Sequence, residues 1–396
     1  MGYTAVRGGL QAIESAATLV EEMPVNSEHP VALDQIERHL QIAVGRVMAE
    51  GGVFDPELAA LAIKQAEGDV IEAAFLLRAY RSTLPRLGYS HATSGNEMLV
   101  LRRVSSVFRD IPGGQVLGLT RDYTQRLLNF GLADKEQGTR NPEQDGIHSS
   151  LSLEGEGRGE GDFQPSPTTP PPLPQRERGP GGDVSPDYPN VIDFLREEGL
   201  MAPAPEASSR AEPFDVTRTP PTFPIPRSGW LQVLARGEAG SMLMLAYSSM
   251  RGYGGTGHGA IAELRYGELP VRISHPITGR PVTIGHVDAC EVHYIAGGFS
   301  SLQESEVPDY QLGYGLVVGR DERKAISMSI IDCSLRFAKP SDTMPVANQE
   351  FVVSHVDSVE SSGFVEHLKL PHYVTFQAGV QRSRRFRQLV EASTNA

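Results

Sequence analysis

The residues best equipped for chemistry crowd between His355 and Tyr373, in HVDSVESSGFVEHLKLPHY. His355, Asp357, Glu360, Glu366, His367, Lys369 and His372 all fall there, and Pro371 separates His367 from His372. Proline fixes its own φ and pushes Leu370 toward an extended conformation, so a helix running through His367 stops at or before this point. A turn, not successive helical turns, then brings the two imidazoles together. Imidazole is a common ligand of zinc and similar ions, and a zinc site takes three or four protein ligands. Two histidines supply half of one. The same spacing also suits ordinary surface histidines beside a proline turn.

The elements that must position this stretch come from a chain of 396 residues, enough for two to three domains at ~150 residues each. At 39% hydrophobic it can bury a sizeable core. It contains no run of ~18 apolar residues, so no membrane span is expected. The N-terminal MGYTAVRGGLQAIESAA lacks the apolar stretch and cleavage site of a secretory leader, and the cytoplasm is the expected location. Two cysteines, Cys290 and Cys333, are too few for a disulfide scaffold, a four-cysteine zinc site or an iron–sulfur cluster held by this chain alone. A net charge of −13 argues against binding nucleic acid through a basic surface, though a local basic pocket for phosphates stays open.

Residues 1–133 read as a helical domain. Val6, Leu10, Ile13, Ala17 and Val20 recur at helical spacing, as do Leu33, Ile36, Leu40, Ala43, Val44 and Val47. Asp55-Pro56 is a start signal for a helix ending near Gly68, and Asp69 caps the next, with Ile71, Phe75, Leu76 and Ala79 expected inward. Arg78 and Arg81 on that helix either face an anionic partner or form a solvated face. Residues 134–187 are one-third glycine and proline with eleven acidic and five basic residues, which reads as a disordered insertion. Residues 188–396 form a mixed domain. VIDFLREEGLM is a short helix, and LQVLARGEAGSMLMLAYSSMRGYG suggests a helix and then a buried run. LPVRIS, GRPVTIG, ACEVHYI and YGLVVG look like strands, and a helix capped by Asp321 comes after them. Without a clean βαβ repeat, the fold class is α+β.

Gly252 to Gly257, GYGGTG, matches GxGxxG, but the residues after it look like a strand and no acidic residue stands near position 277, so a dinucleotide site is not expected. The turn could still approach an anion through its backbone, with Arg251 directly before it. A second GYG, Gly313 to Gly315, precedes Arg320, Arg323 and Lys324 at a predicted helix start, where a bound phosphate would relieve the conflict between those cations and the helix dipole.

AVRGGLQAIESA, RVMAEGGVFDPELAALAIKQAEGD, FLLRAYRSTL, DIPGGQVLG, TRTPP, LAYSSMRGYG, GYGLVVG with DERKA one residue on, and GFVEHLKLPHY, in that order, resemble the PhnI family across residues 3–133 and 188–380. That family is the nucleosidase subunit of the bacterial carbon–phosphorus lyase core complex. The resemblance implies a chain that, with its G, H and L partners, displaces adenine from ATP with methylphosphonate to give alpha-D-ribose 1-methylphosphonate 5-triphosphate. Alone it implies release of the base to water. It further implies Mg-ATP and an alkylphosphonate as substrates, association with the radical J subunit, with K and with a second copy of itself, and an interface zinc held by His367 and His372.

Breaking an N-glycosidic bond passes through a ribosyl cation, which calls for a carboxylate near C1′ and cations for the triphosphate. Asp357 and Glu360 are the candidate carboxylates; Arg251, Lys324 and Lys369 are the candidate phosphate contacts. The sequence departs from the family pattern in its long insertion, in Leu312 before the second GYG, where that pattern has arginine, and in Glu366, where it has a small polar residue. Two other classes stay open. One is a non-catalytic scaffold whose histidines complete a metal site of the radical subunit. The other is an independent metal-dependent hydrolase drawing on His286 or His293.

Overall fold

Local signals written into the chain account for most of the helix boundaries in the computed structural model, which describes residues 8–22, 30–120, 122, 126–132, 188–203, 212–251, 259–297, 310–370 and 372–394. The expected insertion at 134–187, the GYGGTG turn and Pro371 lie outside the described residues. The chain divides into two units, Met1–Gly118 with Ser185–Ala396, and Leu119–Val184. Of the second, the described Leu127, Leu128, Phe130 and Leu132 are exposed. Every element below belongs to the first.

Five helices open the chain: α1 (Gly9–Glu22), α2 (Leu33–His39), α3 (Gln41–Gly51), α4 (Pro56–Gln65) and α5 (Val70–Thr83). Asp55 accepts from Leu58 N with Pro56 at the first helical position, and Asp69 accepts from Ile71 N and Glu72 N, caps worth about 1 kcal/mol each. Ile36, Val44, Val47, Ile63, Ala73 and Leu77 bury together. Of the inward face expected of α5, Leu76 packs against this core and Ile71 is half-buried, but Phe75 and Ala79 do not turn inward. Ala73, Ala74 and Leu77 are buried, whereas Phe75 and Ala79 are exposed, because α5 turns its small-residue side toward α3 and α4. Leu10, Leu19 and Val20 of α1 are also exposed.

β1 (Leu99–Val104) joins β2 (Ala260–Ser274), β3 (Pro281–Ala296) and β4 (Gln311–Val318) in one antiparallel sheet in chain order. β1 thus comes from within the first 133 residues and pairs with a strand more than 150 residues on. GRPVTIG and ACEVHYI, read as two strands, are one long strand paired along its length with β2. The helices α6 (Val191–Glu197), α7 (Arg227–Arg236) and α8 (Ala239–Met250) precede β2. The buried run read after α7 is therefore itself a helix, started by Glu238, whose carboxylate accepts from Gly240 N and Ser241 N.

On one face of the sheet Leu264, Cys290, Val292, Tyr294 and Val317 pack against α9 (Glu322–Arg336), capped by Asp321 as expected. The second GYG is part of β4. A Cβ on Gly313 or Gly315 would collide with the backbone carbonyl of Ser329 or Ala325, so these glycines let α9 lie directly on the strand. They do not form an anion-binding turn. After α9 come α10 (Gln349–His355), α11 (Ser358–Glu366) and α12 (Tyr373–Thr394), the last unforeseen in the sequence. The mixed architecture of helices and one antiparallel sheet bears out the α+β expectation. Among the described residues, no helix is long and apolar enough to cross a membrane.

Candidate functional site

Helix α11 has chemistry at both ends. At its C-terminal end the helix gives way to a single 3-10 turn, His367–Lys369, and Leu370 is extended (φ −75°, ψ 154°), as a residue before proline must be. The two rings meet edge to face, 5.4 Å between centroids. His367 Nδ1 lies on the carbonyl of Phe364, and His372 Nδ1 lies 2.6 Å from the carbonyl of Leu370. A carbonyl only accepts, so each Nδ1 is the donor, and in the neutral imidazole each Nε2 is then the nitrogen with the lone pair. Metal-bound histidines are commonly oriented this way, with the far nitrogen donating to backbone oxygen. The pair therefore fits half of a metal centre. Among the described residues no group of three or more His, Cys, Asp or Glu side chains completes it. Lys369 is exposed and pairs with Glu366.

At the N-terminal end Asp357 caps α11 by accepting from Val359 N at 3.1 Å. Its carboxylate also takes Arg78 Nη1 at 2.9 and 2.7 Å, and the rest of that guanidinium donates to the Glu50 carbonyl at 3.2 and 2.8 Å. Arg78 thus ties α5 and the end of α3 to α11. Arg81, one turn along α5, and Arg236, the last residue of α7, lie beside it. Both guanidiniums are held below the usual arginine range. For Arg236 burial, then Arg78 and Arg81, bring it down to about 10. For Arg81 burial, then Arg78 and Arg86, act in the same direction. Glu360, in the first turn of α11, contributes an opposing charge to Arg236 and makes no hydrogen bond or ion pair with a described residue. The structure thus sets both candidate carboxylates against an arginine cluster.

The other candidates lie elsewhere. Lys324 is fully buried at the start of α9, its Nζ without a hydrogen-bond partner among the described residues. Burial lowers it to about 8 against the opposing pull of Glu50 and Asp321. Arg46 holds the Glu50 carboxylate at 3.3 Å and Glu238 at 2.7 Å, yet burial still raises Glu50 above the carboxylate range. Arg251 ends α8, exposed. Arg320 stacks over the Tyr266 ring, 5.5 Å from its centroid. Cys290 and Cys333 are buried core thiols, pushed up by burial, Cys333 to about 12. His286 is exposed and His293 buried on the same strand, seven residues and roughly 23 Å apart at ~3.3 Å per residue, so they form no chelate.

A polar network under the second face of the sheet went unread in the sequence. Arg103 and Arg265 both donate to Glu263 Oε1, Val191 N donates to Glu263 Oε2, and Tyr314 OH donates to Glu291 at 3.0 Å. Burial would raise the Glu263 carboxyl, but His293, Arg265 and Arg103 outweigh it and bring it to about 2. Alternate charged residues in AELRY would ordinarily mark a solvent face; only their long-range partners show otherwise.

The model of the family described as "Bacterial phosphonate metabolism protein (PhnI)" matches residues 2–390. The chain is 42% identical to the candidate C-P lyase subunit HtxH of Stutzerimonas stutzeri, covering 97% of this chain and 95% of that one. It is 41% identical to alpha-D-ribose 1-methylphosphonate 5-triphosphate synthase subunit PhnI of Escherichia coli K12, covering 98% of each. It is 40% identical to the subunit of the same name from Rhizobium meliloti, covering 99% of this chain and 96% of that one.

Proposed function

This chain belongs to the PhnI family, and from that premise we propose that it acts in phosphonate breakdown as a subunit of a carbon–phosphorus lyase system. Its reaction is the exchange of adenine in ATP for methylphosphonate, giving alpha-D-ribose 1-methylphosphonate 5-triphosphate. Near full-length identity to two subunits named for that product carries the reading.

The chemistry is set by the product. A phosphonate oxygen forms a bond to C1′ as the bond from C1′ to the base nitrogen breaks, and that electron pair leaves with adenine, which gains a proton. The base of ATP stands on the β face and the named product is α, so C1′ inverts. Inversion fits a single displacement; a carboxylate nucleophile forming a covalent intermediate would return the β product. A carboxylate here serves to stabilise positive charge on the ribose ring. Glu360, exposed and without a partner among the described residues, is better placed for that role than Asp357, which Arg78 already occupies.

His367 and His372 would hold zinc jointly with ligands from a neighbouring chain, tying the two together at that point. The large apolar side chains around them, Phe364, Val365, Leu368 and Phe376, are exposed, as at a surface meant to be covered. The G, H, J, L and K subunits and a second copy of this chain are the proposed neighbours, in the cytoplasm, where Mg-ATP is available. The incomplete metal set also supports a second reading, a scaffold without its own chemistry. Incubating the purified chain, alone and with co-purified partners, with Mg-ATP and methylphosphonate separates the two. Adenine release, with a new phosphonate ester seen by phosphorus NMR, is the expected result. Phosphate release would point to a hydrolase and no reaction to the scaffold.

A further inference from the structure

Three guanidinium groups from two helices converge where α3 ends. Gly52 closes α3 in the left-handed region, φ +72°. A Cβ there would collide with Arg81 Nη1 and would lie 3.8 Å from Arg236 Nε, so both side chains reach over the same bare backbone. Arg78 lies one helical turn from Arg81 and is fixed by Asp357 and the Glu50 carbonyl. Neither Arg81 nor Arg236 has a hydrogen bond or ion pair from its side chain to a described residue. Arg236 Nε is moreover buried without an acceptor.

Each of Arg81 and Arg236 lies in the last turn of its own helix, where a cation suits the helix dipole. That accounts for one cation at each helix end. It does not account for their convergence on each other, nor for a buried donor with nothing to donate to. Asp357 and Glu360 beside Arg236, and Asp215 beside Arg81, offset part of this gathered positive charge, yet burial and the neighbouring arginines still outweigh them. A further anion would meet the remainder, and guanidinium forks match the oxygens of phosphorus oxyanions. An orphaned buried donor likewise signals a missing partner.

We propose that Arg78, Arg81 and Arg236 form a binding site for a multiply charged phosphorus oxyanion, the chemistry shared by a polyphosphate chain and an alkylphosphonate. Its use as the site that anchors a reacting phosphate or phosphonate rests on the function proposed above. Asp357 then acts as a positioning residue that holds Arg78 toward the site, and Gly52, bare of a Cβ, leaves the space that the Arg81 guanidinium fills.

The test is calorimetric binding of inorganic tripolyphosphate and, separately, methylphosphonate to the full-length chain. Arg81→Gln and Arg236→Gln are each expected to weaken binding about tenfold, Arg→Lys at either position less, and Arg280→Gln in the exposed β2–β3 turn not at all. Thermal melting checks that each variant folds, and the lysine variants serve if a glutamine variant does not. Loss confined to tripolyphosphate assigns the site to the polyphosphate; loss confined to methylphosphonate assigns it to the phosphonate. Unchanged affinity in folded Arg81 and Arg236 variants, or no binding by the wild-type chain, overturns the proposal. If affinity is unchanged while adenine is still released, the site falls and the reaction stands. If arginine-dependent binding is found in a chain that releases no adenine, the reaction falls and the site stands.

Discussion

The two ends of α11 are built on opposite plans. At the N-terminal end Asp357 reaches Arg78, 279 residues earlier in the chain, and through it the end of α3. At the C-terminal end the side-chain hydrogen bonds and ion pair of His367, Lys369 and His372 with described residues all stay within three positions, and Phe364, Val365, Leu368 and Leu370 face outward. One end is held by the fold, and its charged groups are set before any ligand arrives. The other, among the described residues, is held by local side-chain bonds alone. On the function proposed above, the difference is that between a site for binding within the subunit and a point of attachment to another.

The sharpest way to break that comparison is to remove Asp357. Asp357→Ala strips a half-buried guanidinium of its carboxylate and α11 of its cap, with an expected loss of about 2–4 kcal/mol of stability. Asp357→Asn keeps a capping oxygen and should lose less, the difference measuring the ion pair. Urea denaturation of the purified chain reads both. A midpoint unchanged in the alanine variant would show that the N-terminal end is no better anchored than the other.

A smaller effect is expected beneath the same region, at Lys324. Its native pKa, about 8, lies below its ordinary 10.5. Between these values the unfolded chain holds a proton that the native chain has released, so raising pH favours the folded state. Below pH 8 both states are protonated and the contribution is flat. Relative to Lys324→Met, the wild-type chain should therefore gain about 1–2 kcal/mol between pH 8 and 9.5. Denaturation curves of the two proteins that stay parallel over that range would contradict the buried, poorly partnered lysine.

What the sequence disclosed obeys the same division between near and far. The caps at Asp55, Asp69 and Asp321 were legible because the carboxylate and the amide that donates to it lie within three residues. The turn joining His367 to His372 was legible because proline acts on its immediate neighbour. The face of α5 was not, since its sequence offers more than one apolar stripe and only α3 and α4 select between them. Nor could spacing reveal Glu263 beneath Arg103, or Arg78 on Asp357, because each pair meets only after the sheet and helices have assembled. Arg78 and Arg81 did stand out as a pair able to meet an anion, but Arg236, which completes the cluster, carried no signal at all.

The smallest effect on stability is expected at the end that the fold does not hold. His367→Ala with His372→Ala removes two imidazoles whose hydrogen bonds run only to carbonyls within three residues, in a segment with no described long-range bond. Local exposed contacts of this kind contribute little, so the isolated chain should change by less than about 0.5 kcal/mol. In the assembled complex the same variant should lack the zinc proposed for this pair, because half of the proposed ligands are gone and the remaining ones cannot close a tetrahedral site. Urea denaturation of the chain and metal analysis of the co-purified complex must therefore diverge. Stoichiometric zinc in the double variant would make these histidines bystanders. A large loss of stability in the isolated chain would instead mean that the C-terminal end is built like the other, and the contrast between them would vanish.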